Sequence, residues 1–158
     1  DLIIRGGHNI DPAEIEEALM AHPAVAFVGA IGQPDAYAGE LPCAYVELVE
    51  GAATTPEELI AHAESHVHER AAHPKHIEIL HELPKTAVGK VFKPALRKEA
   101  IRRVLDGAMD EAGLPARVFR VREDKKRGLV AEIAIEGELD RDALVALLGS
   151  YPVRHDLT

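Results

Sequence analysis

PKTAVGKVFK, residues 84–93, is the stretch from which the fold and function of this chain are interpreted. It lies between an apolar run and a long helical pattern, so a loop with a glycine and lysines is expected at a strand-to-helix junction. Pro84 ends the strand, Thr86 and Gly89 favour a turn, and Lys90 follows the residue with the greatest backbone freedom. The pattern predicts a loop that presents the Lys90 ammonium as a candidate active-site charge.

A phosphate-binding loop of the GxxxxGK[ST] type is excluded by two residues of this stretch. Such a loop requires glycine where Pro84 stands, and serine or threonine where Val91 stands. The Lys90 charge must therefore belong to another kind of site.

The stretch closely resembles the catalytic-lysine motif of the adenylate-forming enzymes, a superfamily that includes AMP-forming acyl-CoA synthetases, peptide-synthetase adenylation domains and firefly luciferase. Their pattern is PKTxxGKxxK followed by a Leu-Arg pair. It is matched here by Pro84-Lys85-Thr86, Gly89-Lys90, Lys93 and Leu96-Arg97. We call residues 84–93 the lysine loop.

Two further stretches resemble companion motifs of this superfamily, and they occur in the same order. DLIIRGGHNIDPAEIE, residues 1–16, resembles the hinge and hairpin that open the small C-terminal domain. HPAVAFVGAIGQPDAYAGELPCAYVEL, residues 22–48, resembles the middle motif HPxV…GxPDxxxGExPxAxV. The resemblance runs from Asp1 to about Leu105 and identifies the chain as the C-terminal domain of an AMP-forming acyl-CoA synthetase.

Hydrophobic periodicity and helix-start signals predict an α+β fold. It has a small central sheet of about three strands flanked by helices, an N-terminal hairpin and a C-terminal β-β-α extension. Asp11 with Pro12, and Thr55 with Pro56, have the cap-and-proline pattern with which helices begin. The predicted strands are 25–31, 42–49, 77–80, 118–122 and 129–135, and the predicted helices are 12–22, 55–70, 94–112 and 140–148.

The length of 158 residues allows one domain with a small appendage. We expect residues 1–112 to be the C-terminal domain of the AMP-binding enzyme, starting at the hinge, and residues 113–158 to be the extension packed on it. The first residue already lies in a motif and is not methionine. We therefore expect a large N-terminal domain of the same chain, which holds the ATP and acyl pockets, to be missing here.

Composition narrows the partners. The chain has 27 acidic residues against 18 Lys and Arg, a formal charge of −9 and a pI near 5.4. Nucleic acid is excluded as a main partner because its phosphates require a concentrated basic face. A single cysteine, Cys43, allows no intrachain disulfide, and no apolar run is long enough to cross a bilayer. These features predict a cytoplasmic protein without a transmembrane segment.

The resemblance implies a role for Lys90. Enzymes of this superfamily let a carboxylate attack the α-phosphorus of ATP, which gives acyl-AMP and pyrophosphate, and many then transfer the acyl group to coenzyme A. Lys90 is expected to stabilise the negative charge of the first transition state. Lys85 is interpreted as structural or exposed, and not as catalytic. The implied cofactors are ATP/AMP, coenzyme A and Mg²⁺ bound with ATP in the N-terminal domain.

The resemblance also implies, less strongly, roles for residues outside the lysine loop. Asp1 matches the hinge residue, and Gly6 and Gly7 match hairpin glycines that line the pantetheine channel. Lys75 matches a position where relatives often place a basic contact to the coenzyme A nucleotide. Relatives often have an aromatic residue before Gly39-Glu40 that could stack on adenine. Here that residue is Ala38, preceded by Tyr37, so the sequence departs from the pattern.

We considered a metal site formed by histidines and a binding face formed by basic residues, and we predict neither. His62 and His66 lie four apart on a predicted helix face, but no cysteines or spaced carboxylates accompany them, so no metal site is predicted. A basic set on the long helix could face phosphate or the partner domain, but it is interpreted as a solvated face. That set is Lys93, Arg97, Lys98, Arg102 and Arg103.

The sequence therefore predicts the lid domain of an acid–thiol ligase, which is expected to be inactive alone. Two alternatives remain open. The parent could be a fatty-acyl-AMP ligase or an adenylation domain that loads a carrier protein, or this chain could be a stand-alone, non-enzymatic module. The carboxylic acid that is activated is expected to be selected by the N-terminal domain.

Overall fold

The computed structural model describes residues 1–158 and shows an α+β fold, as predicted. A short 3₁₀ helix spans Arg70–Ala72. The strands are β1 (Ile3–Arg5), β2 (His8–Ile10), β3 (Val25–Asp35), β4 (Gly39–Leu48), β5 (His76–Ile79), β6 (Ala116–Asp124), β7 (Gly128–Ile135) and β8 (Arg154–Leu157). The helices are α1 (Pro12–Met20), α2 (Pro56–His66), α3 (Lys93–Glu111) and α4 (Arg141–Gly149).

The chain divides into two compact units. One comprises residues 1–33 and 40–96, and the other comprises residues 34–39 and 97–158. The extension predicted at residues 113–158 therefore lies in the second unit together with most of α3. The domain boundary predicted after residue 112 remains a prediction.

The first unit contains a five-stranded sheet in the order β2-β1-β4-β3, with β5 paired parallel to β4. The three predicted central strands are present, and the predicted hairpin, β1 and β2, joins the same sheet. Helices α1 and α2 share the core with the sheet. Its most deeply buried side chains include Ile3, Ile10, Ile15, Leu19, Val46 and Leu59. Burial of each such aliphatic side chain contributes about 1.5–3 kcal/mol to the stability of the folded state.

Both predicted helix starts are confirmed by their caps. The Asp11 carboxylate accepts a hydrogen bond from the Ala13 N–H at 2.9 Å, and Thr55 Oγ1 accepts one from the Glu58 N–H at 3.1 Å. Helix α2 ends at His66, four residues before the predicted end. It stops there because Val67 adopts an extended backbone and its side chain is buried.

The second unit has its own sheet and core. Strand β6 pairs antiparallel with β7, and β7 pairs parallel with β8. The sequence did not predict β8, whose four residues include a single aliphatic one. The core of this unit is formed by α3, α4 and the sheet, with Leu105, Met109, Val118, Ile133, Leu144 and Leu148 buried.

None of the four helices combines the length and hydrophobicity that crossing a bilayer requires.

Candidate functional site

The lysine loop forms a small hairpin of its own. Lys85 and Val91 pair as an antiparallel bridge. The Thr86 N–H donates to the Lys90 carbonyl at 2.7 Å, and the Gly89 N–H donates to the Thr86 carbonyl at 3.0 Å. The Thr86 hydroxyl oxygen accepts a further bond from the Lys90 N–H at 3.2 Å. The tight turn expected from the sequence is therefore built by Thr86 and Gly89.

Gly89 has φ of +85°, in the left-handed region that favours glycine. Lys90 follows it directly and is exposed. No ion pair or hydrogen bond holds its ammonium in this structure. The side chain is free to reach a ligand that approaches from outside the unit.

Lys85, at the start of the loop, is anchored. Its Nζ lies 2.7 Å from Glu47 Oε1 and 3.3 Å from the Leu83 carbonyl oxygen, and 4.3 Å from the centre of the Phe27 ring. Glu47 Oε1 also accepts a hydrogen bond from the Leu83 N–H at 2.9 Å. The bond from Lys85, and then that from Leu83, lowers the pKa of the Glu47 carboxyl.

Lys93, at the end of the loop, is anchored as well. Its Nζ lies 2.9 Å from Glu16 Oε2 and 3.0 Å from Asp1 Oδ2. The Glu16 carboxylate also accepts a hydrogen bond from the Ala30 N–H at 3.0 Å. Of the three lysines of the loop, the first and last are fixed by carboxylates and Lys90 is left free between them.

Gly29 of β3 makes room for the loop to pack. A Cβ atom at this position would lie 2.6 Å from Leu96 Cδ1 and 3.0 Å from Val91 Cγ1. Leu96 is buried in the first unit. Glycine is therefore required here by the close approach of the loop and the first turn of α3 to β3.

The hairpin glycines differ from each other. Gly6 has φ of +54°, so the two-residue turn between β1 and β2 requires its flexibility. Gly7 has no positive φ, and a Cβ atom at either position would meet nothing within 4 Å. The fold does not require glycine at Gly7. The hairpin is tied back to the unit by a hydrogen bond from the Arg5 guanidinium to the Ala71 carbonyl at 2.8 Å.

A sequence profile of a known family matches residues 14–90. That family is the AMP-binding enzyme C-terminal domain. The match ends at Lys90 and does not include Asp1, Gly6, Gly7 or the tail. The predicted α+β class and the resemblance to AMP-forming acyl-CoA synthetases are both confirmed.

The chain is similar to curated acyl-CoA ligases. It is 52% identical over 103 residues to marinolic acid–CoA ligase of Pseudoalteromonas sp. (strain SANK 73390), covering 65% of this chain and 16% of that protein. It is 46% identical over 99 residues to a long-chain-fatty-acid–CoA ligase of Bacillus subtilis (strain 168), covering 63% and 18%.

Part of this chain is similar in structure to a solved acyl-CoA synthetase from Brucella canis. The two share a TM-score of 0.59 and 36% sequence identity over 66% of this chain and 20% of that one. The chain thus spans about a sixth to a fifth of the length of the proteins it matches.

The positions predicted for coenzyme A are spread along the chain. Lys75 is exposed immediately before β5, and its N–H donates to the Pro42 carbonyl at 2.8 Å. In the other unit, Tyr37 is 99% exposed and Ala38 is half-buried. The Asp35 carboxylate shapes that loop by accepting hydrogen bonds from the N–H groups of Tyr37 and Ala38.

The two histidines spaced for a metal site, His62 and His66, bond to the main chain. His62 Nε2 lies 2.8 Å from the Ala18 carbonyl oxygen, and His66 Nδ1 lies 2.8 Å from the His62 carbonyl oxygen. The rings of His62 and His66 stack with centres 4.0 Å apart. No group of three or more His, Cys, Asp or Glu side chains is arranged to hold a metal ion.

Three residues that shape the lysine loop were missed from the sequence. Glu47, Glu16 and Gly29 lie on other elements and matter through contacts across the fold. The only local signal was the glycine inside the apolar run of β3, since such a glycine often marks a close approach of other chain segments.

Proposed function

We propose that this chain is the C-terminal lid domain of an AMP-forming acyl-CoA synthetase. The overall reaction converts a carboxylic or fatty acid, ATP and coenzyme A into acyl-CoA, AMP and pyrophosphate. The observation that carries the proposal is the exposed, unpartnered Lys90 at the turn of an anchored loop, in a domain of the AMP-binding family. The acyl-CoA ligases among its relatives support the same reaction class.

Lys90 supplies a positive charge to the first half-reaction. The carboxylate of the substrate attacks the α-phosphorus of ATP, a P–O bond forms, and pyrophosphate leaves with the electrons of the broken bond. Negative charge spreads over the oxygens of the transferred phosphoryl group, and an ammonium held there stabilises the transition state more than the ground state. Lysine suits this role because its compact charge sits on a long, flexible chain.

The site in which this happens belongs to the N-terminal domain of the parent protein. That domain would hold ATP, the acid and the Mg²⁺ that accompanies ATP. The carboxylates that contact the lysine loop, Glu47, Glu16 and Asp1, are paired with lysines and do not form a metal site. We therefore expect this chain alone to be inactive.

The hairpin serves the second half-reaction, in which the thiol of coenzyme A attacks the acyl-AMP and AMP leaves. Gly7 supports this role because neither its backbone torsion nor its neighbours demand glycine. A missing side chain there leaves room for the narrow pantetheine arm beside Gly6.

The exposed ammonium of Lys75 contacts the coenzyme A nucleotide. Asp1 is the hinge about which the domain turns between the two half-reactions.

Lys90→Ala in the full-length parent tests the proposal. Adenylation is measured by acid-dependent exchange of pyrophosphate into ATP, and transfer is measured from supplied acyl-AMP to coenzyme A. We expect adenylation to fall about a hundredfold or more, as when a single transition-state donor is removed, and transfer to be retained. Lys98→Ala, on α3, is the control for loss of a lysine. Equal loss of both half-reactions would contradict the role of Lys90.

The acceptor is tested separately, because a carrier-protein phosphopantetheine presents the same thiol as coenzyme A. The parent protein is given its acyl-AMP with coenzyme A and with a free carrier protein, and the acylated product is identified. Acylation of coenzyme A supports the synthetase, and acylation of the carrier alone supports the fatty-acyl-AMP ligase or adenylation domain. A parent gene without any upstream adenylation domain would support the stand-alone module instead.

A further inference from the structure

Lys93 connects three parts of the first unit that are far apart in sequence. Its Nζ contacts Asp1 Oδ2 at 3.0 Å and Glu16 Oε2 at 2.9 Å, so one ammonium joins the start of the chain, α1 and the end of the lysine loop. The Lys93 side chain is 19% exposed and that of Glu16 is 24% exposed. Both groups are sheltered enough from water for their attraction to outweigh that of an ordinary surface pair.

Glu16 is held from a second direction. Its Oε2 accepts the Ala30 N–H at 3.0 Å, so the carboxylate that contacts Lys93 is fixed to strand β3. The Ala30 N–H holds the Glu16 carboxylate in place, and this carboxylate in turn holds the Lys93 ammonium. Asp1 is the third member, and its carboxylate reaches an ammonium that is already in place.

The position of Lys93 in α3 makes these carboxylates necessary. Lys93 is the first residue of the helix, where the unpaired N–H groups make a cation unfavourable. The first turn of α3 contains no acidic residue of its own. Glu16 and Asp1 supply the compensating negative charge from other parts of the chain.

We propose that Lys93 is a positioning residue, which fixes the hinge residue Asp1 to this domain and connects it to the lysine loop. The inference rests on the proposed function in assigning Asp1 as the hinge. With the Asp1 carboxylate held by Lys93 and β1 beginning two residues later, the side-chain and C-terminal sides of the Asp1 Cα are both restrained.

The restraint on Asp1 is tested in the chain itself by amide ¹⁵N relaxation, with the terminal amine acetylated to remove its charge. We expect the order parameter of the Leu2 amide to be near ~0.85 in the unaltered chain and to fall below ~0.6 in Lys93→Met. Lys93→Arg restores the charge and should restore the order. Lys98→Met, which removes a lysine of α3 without an ion pair, should leave Leu2 unchanged.

Asp1→Asn separates the hinge contact from stability, because it leaves the pair between Lys93 and Glu16 intact. We expect it to loosen Leu2 as Lys93→Met does, with an unchanged unfolding midpoint. An order parameter for Leu2 that stays the same in both variants would overturn the proposal, whatever the parent enzyme does.

The full-length parent distinguishes positioning from catalysis. If Lys93 positions the hinge, Lys93→Met should lower kcat of the complete reaction about fivefold, leave the KM for the carboxylic acid unchanged, and be rescued by Lys93→Arg. Loss of adenylation alone without rescue by arginine would show instead that Lys93 acts as a charge in the site and would overturn the inference. A parent that forms no acyl-AMP at all would contradict the proposed function and leave the Leu2 result standing.

Discussion

Lys85 Nζ lies 2.7 Å from Glu47 Oε1, so the first residue of the lysine-loop hairpin is held by a strand residue 38 positions earlier in the chain. Both side chains are largely buried, at 20% and 17% exposure. The pair fixes one end of the loop whose turn presents Lys90. It also explains why one lysine of the motif is structural although it lies five residues from the candidate catalytic one.

Lys85→Met is expected to destabilise the domain by about 1–3 kcal/mol, because it leaves the Glu47 carboxylate sheltered with only the Leu83 N–H as partner. The aliphatic stem is retained, so loss of packing contributes little. Urea unfolding of the chain measures the effect. Lys125→Met, at an exposed turn, is the matched control and should stay within about 0.5 kcal/mol. Equal stability of the two variants would mean that the pair does not hold the loop.

The pair between Lys85 and Glu47 also predicts that the stability of the domain depends on pH. The pKa of Glu47 is lowered in the folded chain from 4.5, chiefly by the hydrogen bond from Lys85, so the ionised form favours the folded state. The stabilisation of the folded chain by ionised Glu47 is fully present above about pH 4.5, and it is lost as the pH falls through the lowered pKa of the folded state. The difference in unfolding free energy between the unaltered chain and Glu47→Gln should be constant above pH 4.5 and shrink on acidification. A difference that grew on acidification would contradict the lowered pKa.

Local signals explain which parts of the structure could be predicted from sequence. The caps at Asp11 and Thr55 and the turn at Thr86 and Gly89 depend on residues within a few positions, and all four act as expected. The three central strands were found because their segments are rich in apolar residues. The motif resemblance gave the family and the candidate lysine.

What the sequence did not show depends on contacts between distant segments. The basic set on α3 was interpreted as a solvated face, yet the Lys93 side chain is only 19% exposed and pairs with two carboxylates that no spacing rule connects to it. Strand β8 has almost no apolar pattern and exists because α4 returns the chain beside β7. Glu47 and Glu16 resemble any other surface carboxylates until the fold places lysines against them.

Gly29→Ala is expected to destabilise the domain by about 1–3 kcal/mol, because the new Cβ would lie 2.6 Å from Leu96 Cδ1 in a packed interior. The loop and the first turn of α3 must move away from β3, and amide chemical shifts of Val91 and Leu96 should report the movement. Gly107→Ala is the control. It lies exposed within the C-terminal half of α3 with open space around it, so the helix should gain about 0.5–1 kcal/mol. A stabilising Gly29→Ala would show that the loop is not packed as described.

Gly89→Ala is expected to cost about 1–2 kcal/mol although nothing crowds the new methyl group, because a Cβ is unfavourable at φ of +85°. Gly7→Ala meets equally open space without a positive φ, so its unfolding free energy should change by only a few tenths of a kcal/mol.

The two variants, Gly89→Ala and Gly7→Ala, also separate the two half-reactions in the full-length parent. Gly89→Ala disturbs the turn before Lys90 and should slow pyrophosphate exchange, whereas Gly7→Ala narrows the proposed pantetheine path and should slow only the transfer to coenzyme A. If Gly7→Ala left transfer unchanged, the hairpin would have no part in binding coenzyme A, and its glycines would serve only the turn.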